Sequence, residues 1–202
     1  MRRYLRLGLP SGLEMFMNVA TFNVFLLMFQ SYGVVQGAAM AIVFNWDLLS
    51  YIPVIGLNIG VMSLIGRFVG AQDMARADQV IRAGFTVALG YAGCLAIIFL
   101  VFRTELVAIF NTGDASFPAI LALADHMMLG LVSYMLADAV ILIAGGALRG
   151  AGDTRWIMLT STSVHWVMLI AQYLIIVEYR LDPLVSWWTF VAMLMALAAL
   201  YL

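Results

Sequence analysis

The stretch that decides the fold is AILALADHMMLGLVSYMLADAVILIAGGAL, residues 119–148. Its only formally charged residues are Asp125 and Asp138. A helix crosses the hydrocarbon core of a bilayer with about 20 mostly apolar residues, whereas a barrel strand needs only about 9–11 residues that alternate in polarity. This stretch is longer than such a strand and is apolar at both odd and even positions. It therefore predicts a membrane-spanning helix.

Further runs of the same kind fill the rest of the 202-residue chain, which is 65% hydrophobic and 10% charged. Soluble domains carry about 25% charged residues, so the excess apolar surface must face lipid. We predict an all-α integral membrane fold, with residues 1–202 forming one bundle of six transmembrane helices. The expected spans are 8–32, 38–68, 81–102, 119–148, 156–178 and 184–202.

Several classes of protein are excluded by composition and motifs. The net charge of −1 does not indicate binding to nucleic acid. The single cysteine, Cys94, allows neither an internal disulfide nor a cysteine metal cluster. The sequence lacks the Gly-x-Ser-x-Gly and His-Glu-x-x-His motifs of common hydrolases. We therefore expect neither an enzyme nor a bound cofactor.

The arginines predict the orientation, because cytoplasmic loops carry an excess of basic residues. With six spans and a cytoplasmic N-terminus, only Arg103 and Arg180 fall outside. The other arginines all fall inside: Arg2, Arg3, Arg6, Arg67, Arg76, Arg82, Arg149 and Arg155. Both termini are thus expected in the cytoplasm, with Arg149 and Arg155 at the lipid headgroups.

Asp138 is the most informative residue, because a carboxylate in the middle of a span costs about 2.5–3.5 kcal/mol on the insertion scale. Tyr134 lies one turn earlier on the same face. Basic partners are nearly absent from the spans, so we expect Asp138 to bind a proton or Na⁺. The alternative is an Asp that bonds a neighbouring helix and only stabilises the bundle.

Polar residues in other spans suggest a cavity. Glu14 and Asn18 share one helical stripe, which could line a polar cavity, although Glu14 could also lie at the membrane interface. Asp47 and Asn45 precede Pro53, which lacks an N–H and predicts a kink in its helix. These two residues could line the cavity or bond a neighbouring helix.

The fifth span carries Ser161, His165 and Gln172 on one face. His165 and Gln172 are further candidates for contact with a substrate, although a histidine in a helix is more often simply packed.

Three motifs resemble those of the multidrug and toxic compound extrusion (MATE) transporters. Gly145-Gly146-Ala147-Leu148-Arg149-Gly150-Ala151-Gly152-Asp153-Thr154-Arg155 resembles the loop between the tenth and eleventh helices of that family. Leu9-Pro10-Ser11-Gly12-Leu13-Glu14 is similar to the start of its seventh helix. Residues 53–56 and 64–71 resemble its eighth helix and the following loop. The resemblance runs from about Arg6 to the last helix and covers one lobe of two.

The resemblance implies one six-helix lobe of a twelve-helix antiporter that exchanges Na⁺ or H⁺ for organic cations and other drugs. Asp138 matches the cation-site carboxylate of this lobe, and Asn18 lies where some members have a Glu. Glu14 fits the pattern of a different subgroup. The candidate cation-binding residues are therefore Asp138, Glu14 and Asn18, with Tyr134, Asp47, Asn45, His165 and Gln172 as candidates for the substrate cavity.

The implied partners are a cationic or amphipathic small molecule, membrane lipid and the missing N-terminal six-helix lobe. The implied location is the bacterial inner membrane, and we expect the chain to be a fragment of a longer transporter. Two other functions stay open: a flippase of a lipid-linked precursor, which an arginine-rich cavity would favour, and a membrane scaffold that transports nothing.

Overall fold

The computed structural model of the protein describes residues 2–111 and 113–202, with only the backbone described for residues 2–7 and Pro10. The side chains of Arg2, Arg3 and Arg6, on which the predicted orientation partly rests, lie outside the described residues. The helices are α1 (Arg2–Gln30), α2 (Val34–Gly70), α3 (Met74–Val101), α4 (Arg103–Ala108), α5 (Phe117–Ala151), α6 (Thr154–Tyr173) and α7 (Pro183–Tyr201).

Six helices in the described part of the chain are long and apolar enough to cross a membrane, as the sequence predicted. Most extend a few residues beyond the predicted windows. The structure adds the short helix α4 within the predicted loop, and a π-helical turn, Leu174–Glu178, that continues α6.

The helix ends follow ordinary capping chemistry. Asp73, Asp153 and Asp182 accept hydrogen bonds from backbone N–H groups at the starts of α3, α6 and α7, where such donors have no partner within the helix. Gly152 ends α5 with φ 94°, a conformation that glycine adopts without steric cost. Gly152 and Asp153 thus separate α5 from α6.

Helix α5 lies at the centre and packs against α2, α3 and α7. Its contact with α2 is close: a Cβ at Gly146 would lie 2.7 Å from Asn58 Oδ1, and one at Gly150 would lie 2.6 Å from the carbonyl oxygen of Met62. Small residues four apart allow such approach between helices in lipid. Gly56 and Gly60 share this spacing, but an added Cβ there would meet nothing within 4 Å.

Aromatic side chains fill the core where α1, α2, α5 and α7 meet. Trp187 stacks on Phe190 with a centroid distance of 5.6 Å and donates a hydrogen bond of 3.0 Å from Nε1 to the carbonyl oxygen of Met127. Helix α1 packs mainly on α6 and touches α2 only slightly. This arrangement leaves space between α1 and the α2–α5 pair.

Candidate functional site

A cavity of about 1200 Å³ occupies the space between α1 and the α2–α5 pair. Its wall combines charged, polar and apolar groups, including two methionines. The lining residues are Gly8, Ser11, Glu14, Met15, Asn18, Val19, Tyr51, Ile55, Met62, Leu142, Arg149 and Thr154.

An ion pair crosses this cavity from α1 to α5. Arg149 Nη2 lies 2.7 Å from Glu14 Oε1, and the two side chains are 26% and 5% exposed. The guanidinium lies over Gly145, where an added Cβ would sit 3.2 Å from Arg149 Nη1. Because Gly145, one turn earlier, has no side chain, the guanidinium can turn back to the carboxylate of Glu14. The position of Arg149 at the lipid headgroups stays a prediction.

Asn18 joins α1 to α6 in the same wall. Its Nδ2 donates a hydrogen bond of 2.7 Å to Ser161 Oγ, and its buried Oδ1 has no hydrogen-bond partner. Glu14 and Thr21 are buried on either side of it along α1. The predicted polar stripe of α1 thus faces into the bundle.

Asp138 is half-buried behind this cavity and lines a small void of about 10 Å³ together with Ser50, Tyr51 and Tyr91. Tyr51 also lines the large cavity, so its side chain forms part of the wall between the two spaces. None of the ion pairs among residues 2–111 and 113–202 involves Asp138. As predicted, this carboxylate has no basic partner.

Asp47 lies one turn before Tyr51 on α2. Its buried carboxylate lies close enough to the buried hydroxyl of Tyr134 on α5 for the two groups to interact. The carboxylates of Asp47 and Asp138 act electrostatically on each other, and both act on the hydroxyl of Tyr134. Two acids and two tyrosines therefore cluster between α2 and α5.

Comparison with known proteins identifies the family. The MatE family model matches residues 10–174. The chain belongs to the MATE transporter family. It is 30% identical over 205 residues to the multidrug resistance protein MdtK of Yersinia pseudotuberculosis serotype O:1b (strain IP 31758), covering 99% of this chain and 44% of that protein.

Two solved structures share the fold of this MATE lobe. An outward-facing MATE multidrug transporter matches with a TM-score of 0.84 at 18% identity, and an inward-facing one with 0.81 at 16% identity. These matches cover 98% and 97% of this chain, and 43% and 45% of the solved chains. The chain thus spans about half the length of the relatives it matches. MATE proteins are transporters, not enzymes.

None of the five residues predicted for the substrate cavity of the MATE lobe lines the large cavity, and their contact with a substrate stays a prediction. Tyr134 is buried in the aromatic core, where it contacts Trp187 and Phe190. Asp47 lies behind the cavity in the cluster with Asp138. The side chain of Asn45 bonds its own helix, with Nδ2 donating a hydrogen bond of 2.7 Å to Ala41 O.

The two candidates on α6 also have local partners. His165 Nδ1 lies 2.8 Å from the carbonyl oxygen of Ser161, one turn earlier. Gln172 is buried against α7, where Nε2 donates to Ser186 O at 2.9 Å and Oε1 accepts from Ser186 Oγ at 2.5 Å. Gln172 therefore joins two helices. Sequence spacing placed these residues on one face of α6 but could not show which helix that face meets.

Two cavity residues were missed as functional candidates, Arg149 and Tyr51. The pair Gly145 and Arg149, four residues apart, was a usable signal, since a glycine one turn before an arginine leaves space for the long side chain. No sequence signal marked Tyr51, because its position depends on how α2 packs. Helix α2 runs unbroken through Pro53, and a kink there stays a prediction.

Within residues 2–111 and 113–202, no group of three or more His, Cys, Asp or Glu side chains is placed to hold a metal ion.

Proposed function

We propose that this lobe forms half of a secondary active exporter in the bacterial inner membrane, with both termini in the cytoplasm. The exporter moves organic cations or amphipathic drugs outward in exchange for H⁺ or Na⁺ by alternating access. A second, N-terminal six-helix lobe completes it, since the chain covers 44% of a relative named as a multidrug resistance protein.

The observation that carries this proposal is the half-buried Asp138, which has no basic partner and lies behind the wall of a large cavity. A charge in a lipid-embedded bundle is costly unless it is paired. A coupling cation that binds Asp138 relieves this cost and stabilises one of the two access states. If the drug stabilises the other access state, binding of the cation disfavours binding of the drug, and the reverse also holds.

The large cavity suits a drug-sized ligand. Binding sites for such ligands measure about 300–1,000 Å³ and combine apolar walls with a few polar groups. Met15 and Met62 contribute adaptable apolar contacts, and Glu14 and Asn18 contribute polar ones. Transport against a gradient draws on the membrane potential, about 2.3 kcal/mol per charge per 100 mV.

The arginine content of the cavity argues against a flippase for a lipid-linked precursor. Among the side chains described, the cavity lining contains one arginine, Arg149, and Glu14 neutralises it. Among these described side chains, an anionic pyrophosphate headgroup would find no unpaired positive charge.

The test uses a two-lobe transporter that contains this lobe, reconstituted in vesicles with an imposed ion gradient. Asp138→Asn keeps the size of the side chain but removes the negative charge that attracts a coupling cation, so we expect loss of ion-driven drug efflux at unchanged expression. The control is Asp78→Asn, which removes an exposed acid paired with Arg82 on α3. Normal efflux by the Asp138 variant would contradict the proposal.

A further inference from the structure

The ion pair of Glu14 and Arg149 spans a cavity instead of a packed interface. Helices α1 and α5 make little direct contact, because α1 packs mainly on α6, whereas α5 packs on α2, α3 and α7. The carboxylate of Glu14 and the guanidinium of Arg149 nevertheless meet at 2.7 Å, and both residues line the large cavity. A ligand in the cavity can therefore reach this pair.

The two partners differ in their freedom to move. The side chain of Glu14 is short and 5% exposed, whereas that of Arg149 is long and 26% exposed. An ideal Cβ on Gly145 would lie 3.2 Å from Arg149 Nη1 and 3.5 Å from Cε2 of Tyr201. The guanidinium thus rests near the ring of Tyr201, over a residue without a side chain, and stays partly accessible from the cavity.

Arg149 has a second favourable position within its reach. It lies in the last turn of α5, where the carbonyl end of the helix stabilises a cation. A long arginine side chain also extends readily to the lipid headgroups expected beyond that end. Glu14 is buried and keeps its need for a positive partner, because removing one member of a buried ion pair is strongly unfavourable. Arg149 can therefore leave Glu14 when another cation takes its place.

The contact between the two side chains indicates which kind of cation Glu14 binds. Its Oε1 accepts a hydrogen bond from Arg149 Nη2, an N–H donor on a planar, delocalised cation. One turn further along α1, the buried Oδ1 of Asn18 is an acceptor without a hydrogen-bond partner. An amidinium or guanidinium group carries N–H donors on at least two nitrogens and can serve both acceptors. A quaternary ammonium group donates to neither.

The rest of the cavity lining suits an aromatic body attached to such a group. Tyr51 contributes an aromatic ring, Met15 and Met62 contribute adaptable side chains, and Ile55 and Leu142 contribute aliphatic ones. The volume of about 1200 Å³ leaves space for an arginine side chain to move aside while a ligand is bound.

We propose that Arg149 is an internal competitor of the substrate: its guanidinium occupies Glu14 until an aromatic amidinium or guanidinium ligand displaces it. The ligand then pairs with Glu14 and bonds Asn18, while Arg149 swings toward the end of α5. One positive charge stays paired with Glu14 throughout the exchange. The inference rests on the proposed export function, to which it adds the class of substrate and the residue that the substrate must displace.

The first test measures binding by the purified chain in lipid nanodiscs with isothermal titration calorimetry. The ligands are benzamidinium, neutral benzamide and N,N,N-trimethylanilinium, an aromatic cation without N–H groups. We expect the wild-type chain to bind benzamidinium and to bind the other two about tenfold more weakly, since each lacks a charge-assisted hydrogen bond.

Two variants release Glu14 from its internal partner. Arg149→Gln removes the competing charge, so benzamidinium should bind about tenfold more tightly if the paired state outnumbers the free state by about ten to one. Gly145→Ala keeps every charge but adds a Cβ 3.2 Å from Nη1, which crowds the guanidinium and should tighten binding to a smaller extent. Glu14→Gln should abolish binding. The control is Arg82→Gln, which removes an exposed arginine paired with Asp78 and should leave the affinity unchanged.

A second measurement follows Arg149 itself. Phenylglyoxal modifies accessible arginine side chains, and mass spectrometry locates the label. Benzamidinium should raise the labelling rate of Arg149 several-fold, because the displaced guanidinium becomes accessible. Arg155 is exposed and serves as the internal control, since its labelling should not depend on the ligand.

Unchanged affinity in both Arg149→Gln and Gly145→Ala, or labelling of Arg149 at the same rate with and without benzamidinium, overturns the displacement. Equal affinity for benzamidinium and N,N,N-trimethylanilinium overturns the class of ligand. Tighter binding of benzoate by Glu14→Gln also overturns the proposal, because Arg149 would then be the group that binds the ligand.

The same measurements separate this inference from the export proposal. Displacement of Arg149 in a two-lobe protein that moves no drug supports the inference and contradicts the exporter. Ion-driven efflux during which Arg149 stays protected from phenylglyoxal contradicts only the displacement.

Discussion

At the scale of single residues, Glu14 and Arg149 form a buried ion pair whose charges depend on each other. Removing one partner of such a pair leaves an uncompensated charge and costs about 3 kcal/mol, whereas replacing both by neutral groups costs little. We expect Glu14→Gln and Arg149→Gln each to lower the unfolding temperature of the purified chain in detergent. The double variant should recover most of the loss.

The control for these three variants is the exposed pair of Asp78 and Arg82, whose removal should change the unfolding temperature very little. If the double variant lost as much thermal stability as the two single variants added together, Glu14 and Arg149 would not stabilise each other.

The same residues show how far sequence reasoning reaches at a site. Asp138 was predictable, because a lone acid in a long apolar run is conspicuous. The position of Asp47 behind the large cavity was not predictable, since nothing in the sequence gives the register between α2 and α5. That register depends on which small residues meet which backbone atoms, a property of two helices together.

At the scale of helices, the contact between α2 and α5 depends on Gly150. In Gly150→Ala the new Cβ would lie 2.6 Å from the carbonyl oxygen of Met62 and must push the helices apart. Overpacking of this kind costs about 1–3 kcal/mol. We expect a clear drop in the thermal stability of the chain in detergent.

Gly60→Ala is the matched control, because Gly60 lies in α2 and an added Cβ there meets no atom within 4 Å. Alanine favours a helix over glycine by about 1 kcal/mol, so this variant should be as stable as the wild type or slightly more so. Equal effects of the two substitutions would contradict the close approach described for α2 and α5.

Helix number and type were predictable because the apolar runs are long and punctuated by turn residues. The short helix α4 was not, since Arg103–Ala108 reads as part of a charged loop. The ion pair of Arg103 with Asp125 at 3.0 Å connects it to α5, a tertiary contact that local patterns do not contain.

At the scale of the whole molecule, the large cavity has one side in this lobe, and a second lobe is proposed to close it. We expect the chain alone, reconstituted in vesicles, to take up no drug under a pH gradient. Fluorescent cation uptake measures this, with a two-lobe transporter as the positive control. Uptake by the lone chain would contradict the two-lobe proposal and favour assembly of half-size chains.

The backbone contact between α2 and α5 has a mechanical consequence. Two helices whose backbones are in contact cannot slide past each other without losing that close packing, so α2 and α5 behave as one rigid unit. Helix α1 makes few contacts with α2 and packs mainly against α6. We therefore expect a change in the shape of the lobe to tilt α1 and α6 together against α2 and α5, which would stretch the ion pair between Glu14 and Arg149.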